Sequence, residues 1–158
     1  MAMNINPSLE ERALLYCAST NRTILKQPDG ALKIFGGGTD GTVWATDAKN
    51  ALKILIKEQT YKQEVECYRR LHAKQITEIC GYSVPRLLNY SNDLLAIEMS
   101  VVEPPRVLDF GKVTLDSPGD FSQQTIAYWH EQQEELWGEH WKTIRKILAR
   151  LRTLGIYY

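Results

Sequence analysis

The sequence predicts an α+β fold, and three observations carry that prediction. A glycine-rich stretch, Phe35-Gly36-Gly37-Gly38-Thr39-Asp40-Gly41, leads into the β-branched and aromatic run Thr42-Val43-Trp44-Ala45-Thr46, which favours a strand. The turn Asp47-Ala48-Lys49-Asn50 then precedes a second strand-like run, residues 51–56. Helical spacing enters at Val65, Tyr68 and Leu71 and dominates residues 125–154. Glycines followed by a strand exclude a dinucleotide-binding turn, in which the glycines must open a helix.

The elements follow in chain order. Asn6-Pro7 offers a helix cap and a tolerated first-turn proline, and Leu9, Ala13, Leu14 and Cys17 share one face, so a short helix is expected to about residue 18. Residues 23–26 and 31–35 read as strands around the turn Pro28-Asp29-Gly30. A helix over residues 61–71 follows the strand-like run 51–56. Residues 84–90 and 94–99 read as two strands joined by Ser91-Asn92-Asp93. Breakers at Glu103-Pro104-Pro105 and Ser117-Pro118-Gly119-Asp120 frame the next segment. The final helical stretch has a possible interruption at Gly138, and Trp137, Trp141, Ile144, Leu148 and Leu151 form its apolar face.

Composition narrows the function classes. With 158 residues, the chain is long enough for one domain with a real core. Nineteen basic residues balance nineteen acidic ones, so net charge makes no case for nucleic acid as a partner. No apolar run is long enough to cross a membrane, and the N-terminus lacks the form of a secretory signal. Cys17, Cys67 and Cys80 are odd in number and lack metal-ligand spacing, which leads to the expectation of free thiols in a reducing cytoplasm. His72, His130 and His140 are scattered, and no zinc-protease, nucleophile-elbow or cysteine–histidine pattern stands out.

Gly36, Gly38, Gly41 and Val43 fit G-x-G-x-x-G-x-V, and Ala51-Leu52-Lys53 supplies Ala-x-Lys shortly afterwards. Bare glycines let a backbone approach phosphate oxygens, and a nearby ammonium can reach the same group. This pairing resembles the small lobe of the protein kinases. The phrase Glu64-Val65-Glu66-Cys67-Tyr68 is similar to the kinase helix whose glutamate pairs with the strand lysine. On that match Glu64 is the partner of Lys53, and Glu66 points elsewhere. The resemblance implies a five-stranded antiparallel sheet with one helix, followed by a C-terminal helical segment. It divides the chain into an N-terminal helical segment (1–22), a kinase-like small lobe and hinge (23–100), and a post-hinge segment with a long helix (101–158).

What the resemblance implies for binding is specific. ATP, with Mg²⁺, is the expected ligand. Gly36, Gly38 and Gly41 cover its phosphates, with Val43 and Ala51 beside them. Lys53 contacts the phosphates. At the hinge, Ile97 is the gatekeeper, the Glu98 carbonyl accepts from the adenine amino group, and the Ser100 amide donates to the ring. Asp109-Phe110-Gly111 spells the kinase metal-binding triplet but precedes the long helix, so it reads as a chance match or local turn. The resemblance also implies that a Leu154-Gly155-Ile156 phrase runs into a catalytic loop bearing an aspartate and an asparagine. Neither follows here, so phosphoryl transfer to a hydroxyl is expected only where such a loop completes the chain. The alternative is a catalytically inactive scaffold that meets a protein partner, or itself, through the terminal helix.

Overall fold

The computed structural model describes residues 6–102 and 110–158. Helix α1 spans Leu9–Thr20 and starts at Ser8, not at Asn6-Pro7. The Ser8 hydroxyl accepts from the Glu11 amide at 3.1 Å, while the Ser8 amide donates to the Glu11 carboxylate at 2.7 Å. This reciprocal capping box satisfies two otherwise orphaned donors, which Asn6 has no glutamate to match. Asn21, in the left-handed region at φ 56°, ends the helix two residues later than expected.

Strands β1 (Ile34–Gly37), β2 (Gly41–Ala45) and β3 (Asn50–Leu55) form an antiparallel meander. Helix α2 (Glu58–Ala73) follows, then the two-residue strands β4 (Glu78–Ile79) and β5 (Tyr82–Ser83). Strands β6 (Leu87–Ser91) and β7 (Ala96–Ser100) complete a five-stranded antiparallel sheet in the order β1-β2-β3-β7-β6. The fold is therefore α+β, and this sheet has the five antiparallel strands expected.

Two strand expectations need correcting. Residues 23–26 form no ladder. They make isolated bridges, Ile24 with Thr46 and Lys26 with Leu32. The Leu25 amide donates to Ala45 and its carbonyl accepts from Lys33, so pairing switches partner within one residue. The expected strand over residues 31–35 starts instead at Ile34 and runs into the glycines. The β4–β5 hairpin was not expected at all, because two-residue strands show no period. Its turn holds Cys80 and Gly81 at φ 50° and 86°.

Alternation along β3 builds two cores, one on each face of the sheet. Leu52 and Ile54 face α1, where they pack with Ala13, Tyr16, Cys17, Ile24, Trp44 and Ala96. Ala51 and Leu55 face α2, among Tyr61, Val65, Tyr68, Leu71, Ile97 and Met99.

Residues beyond β7 join this second core. Phe110–Lys112 form a 3₁₀ turn, β8 (Thr114–Leu115) follows, and Phe110 and Val113 are buried against α2. The C-terminal helical stretch is interrupted at Gly138, where the sequence pointed: α3 (Gln123–Trp137) and α4 (Trp141–Arg152) are separated by the 3₁₀ turn Gly138–His140. Gly138 sits at φ 52°, ψ −126°, a conformation open in practice only to glycine. Helix α4 buries Trp141, Ile144, Ile147 and Leu151, whereas α3 buries no residue. Strand β9 (Ile156–Tyr157) pairs with β8. Arg70 of α2 fastens this corner: it donates to both Asp116 carboxylate oxygens at 2.9 and 3.0 Å, and to the Leu154 and Gly155 carbonyls.

No helix among the described residues is long and apolar enough to cross a membrane. Cys17, Cys67 and Cys80 are all free thiols, and burial pushes the first two up to about 11 and about 12.

Candidate functional site

A cleft of about 420 Å³ opens between the β1–β2 hairpin, the α2-facing side of β3, and the 3₁₀ turn. Its roof is the hairpin, closed where the Gly38 amide donates to the Gly41 carbonyl at 3.0 Å. Gly36, Gly38, Gly41 and Val43 all line it. The glycines do different jobs, however. A Cβ at Gly36 or Gly38 meets nothing within 4 Å. A Cβ at Gly41 runs into the Ile54 carbonyl, so Gly41 is required for the hairpin to lie against β3.

The back wall comes from β3 and α2. Val43 is register partner to Lys53, and Ala51 to Met99, which puts these side chains on the cleft face. Glu64 is only 1% exposed, on the same α2 stripe as Tyr61, Val65, Tyr68 and Leu71. A carboxylate at a core position needs a partner. The Lys53 Nζ supplies it at 2.6 Å. Glu66, as expected, points elsewhere and pairs with Arg70 at 3.1 Å.

The residues expected at the hinge alternate between the two faces of the sheet. Glu98 does not line the cleft. It is opposite Leu52, on the α1-facing side of β7, and strands β3 and β6 flank it on both edges. Its carboxylate accepts from Tyr16 Oη at 2.8 Å, Asn50 Nδ2 at 2.9 Å and Arg22 Nε at 3.1 Å. Burial opposes its charge, but these hydrogen bonds and the Arg22 charge hold its carboxyl below the usual value. Ser100 does line the cleft, yet its amide is taken: it donates to the Arg86 carbonyl at 3.0 Å. Ile97, expected as gatekeeper, is buried opposite Lys53, and Met99 forms the lining instead. The chain leaves the sheet past Ser100, where Val101 and Val102 line the cleft.

The floor was missed in the sequence. Phe110 is 2% exposed and meets the Tyr68 ring edge-on, with centroids 5.1 Å apart. The Tyr68 hydroxyl reaches the Met99 sulfur at 3.6 Å. Phe110 and Lys112 both line the cleft, so the residues after Asp109 are part of the site, while Asp109 itself lies outside the described residues. Among the described residues, no group of three or more His, Cys, Asp or Glu is placed to hold a metal ion. Asp40 and Glu64 are the acidic lining residues among those described, and Glu64 is committed to Lys53.

The chain was compared with protein-family models, curated proteins and solved structures, and none of them matches it.

Proposed function

We propose that this chain binds ATP in the cleft, as a protein-kinase-like small lobe. The observation that carries the reading is the Lys53–Glu64 pair, set beneath a glycine hairpin and facing the same cavity. The glycine backbone at Gly36 and Gly38 is open to phosphate oxygens, and the Lys53 ammonium offers them a fixed charge. Val43, Ala51 and Met99 give an apolar slot for a planar base, with the Val101–Val102 backbone at its edge. The reading is one of binding. Phosphoryl transfer to a hydroxyl belongs to it only where a catalytic-loop aspartate and asparagine are supplied.

A thermal shift measurement tests the proposal. ATP at one hundred times its Kd stabilises by about 2.7 kcal/mol. At about 3 °C per kcal/mol for a chain of this size, the melting point rises by about 8 °C. A cooperative melt unmoved by millimolar ATP, with and without Mg²⁺, contradicts the reading.

One observation favours a second reading, a kinase-like scaffold that acts through a protein partner. Helix α3 buries no residue and leaves Tyr128 and Leu136 exposed, with Phe121 just before it. Light scattering tests this, since a strictly monomeric chain argues against self-association through that helix.

A further inference from the structure

We infer that Lys112 is a second phosphate-reading cation of the cleft, so that its ligand class is a nucleoside polyphosphate and not a nucleoside or its monophosphate. The inference rests on the nucleotide reading above and extends it to a residue outside the glycine–lysine–glutamate set.

Charge balance is the starting point. Among the described residues, the charged side chains lining the cleft are Asp40, Lys53, Glu64 and Lys112, two of each sign. Lys53 is already held by Glu64 at 2.6 Å, so much of its charge is offset before any ligand arrives. A di- or triphosphate brings about three to four negative charges into that space, and its capture calls for further positive charge. Lys112 makes no ion pair among the described residues.

Position supports the same role. Phe110 is buried on one side of Lys112 and Val113 on the other, so the turn is anchored at both flanks. The Lys112 side chain is exposed between them and lines the cleft. Lys53 on β3 and Lys112 on the 3₁₀ turn thus approach one cavity from separate elements. A compact ammonium on a flexible stem suits an extended polyphosphate, because it can follow the terminal phosphate while its backbone stays fixed.

Titration calorimetry with ATP, ADP, AMP and adenosine on the wild type, Lys112→Gln and Lys112→Arg tests the inference. The wild type should prefer ATP and ADP over AMP. Lys112→Gln should lose about tenfold in ATP affinity with adenosine affinity unchanged, and Lys112→Arg should recover most of the loss. Lys112→Gln is exposed and should melt like the wild type. If ATP affinity is unchanged in Lys112→Gln, or falls equally for adenosine, the inference is overturned while ATP binding itself stands. If the wild type binds neither ATP nor adenosine, both this inference and the proposed function fall.

Discussion

Gly41→Ala separates the architectural glycine of the hairpin from those that face the cleft. A Cβ at position 41 sits about 3.0 Å from the Ile54 carbonyl carbon and 3.1 Å from the Leu55 Cα, and closer still to the Ile54 oxygen. These are backbone atoms of β3, which also pairs with β7, so they have no side-chain rotamer through which to yield. Overpacking of this kind costs about 2 kcal/mol. At about 3 °C per kcal/mol the melting point of Gly41→Ala should fall by about 6 °C. Gly36→Ala and Gly38→Ala meet open space, and should melt within about 2 °C of the wild type by the same conversion. In ATP titrations the order reverses: the two open positions should lose affinity without losing stability, because their new methyl groups occupy the ligand's side of the roof. Differential scanning fluorimetry on the three variants decides the matter. A Gly41→Ala melt equal to that of the wild type refutes the close approach of hairpin and β3.

Three further predictions concern polar contacts that hold the fold. Glu98 has a folded pKa below its unfolded value near 4.5, so its stabilisation is complete above that value and is lost as pH falls through the folded one. The melting point of the wild type should therefore drop below about pH 4.5 more steeply than that of Glu98→Gln, and identical acid profiles count against the buried network. Tyr16→Phe removes one hydrogen bond to that carboxylate and should cost about 1.5 kcal/mol at neutral pH by urea denaturation. Arg70→Lys should not restore the stability lost in Arg70→Ala, because a single ammonium does not reproduce a fork that reaches a carboxylate and two carbonyls. Full rescue by lysine contradicts that reading.

The parts of the site that were legible in the sequence are those set by local spacing. Gly36, Gly38, Gly41, Val43, Ala51 and Lys53 lie within one three-stranded meander, where alternation alone decides which side chains share a face. Glu64 was singled out by the resemblance of its helix alone, and its place on the apolar stripe with Tyr61, Val65, Tyr68 and Leu71 is what the structure adds, since a charge there needs a partner. The face that each residue of the expected hinge presents was not legible. Register between β7 and its two neighbours is a long-range property, and residues 97–100 show no local signal of which side faces the cleft. Facing pairs settle it: Met99 opposes Ala51, so Glu98 must face α1. Phe110 and Lys112 were out of reach for a similar reason. Their place depends on a ring contact with Tyr68, more than forty residues earlier. Ser8 displaced Asn6 as the first cap because only Ser8 has a glutamate three residues on.

In the proposed function the Lys53 ammonium and the glycine hairpin serve one polyphosphate. Titration calorimetry of ATP into the wild type and Lys53→Ala tests it most directly, with a Lys53→Met/Glu64→Gln pair included so that no unpaired carboxylate is left in the core. The wild type should bind ATP measurably, and both variants should lose at least about tenfold in affinity. Equal ATP affinity in the wild type and the double variant contradicts it.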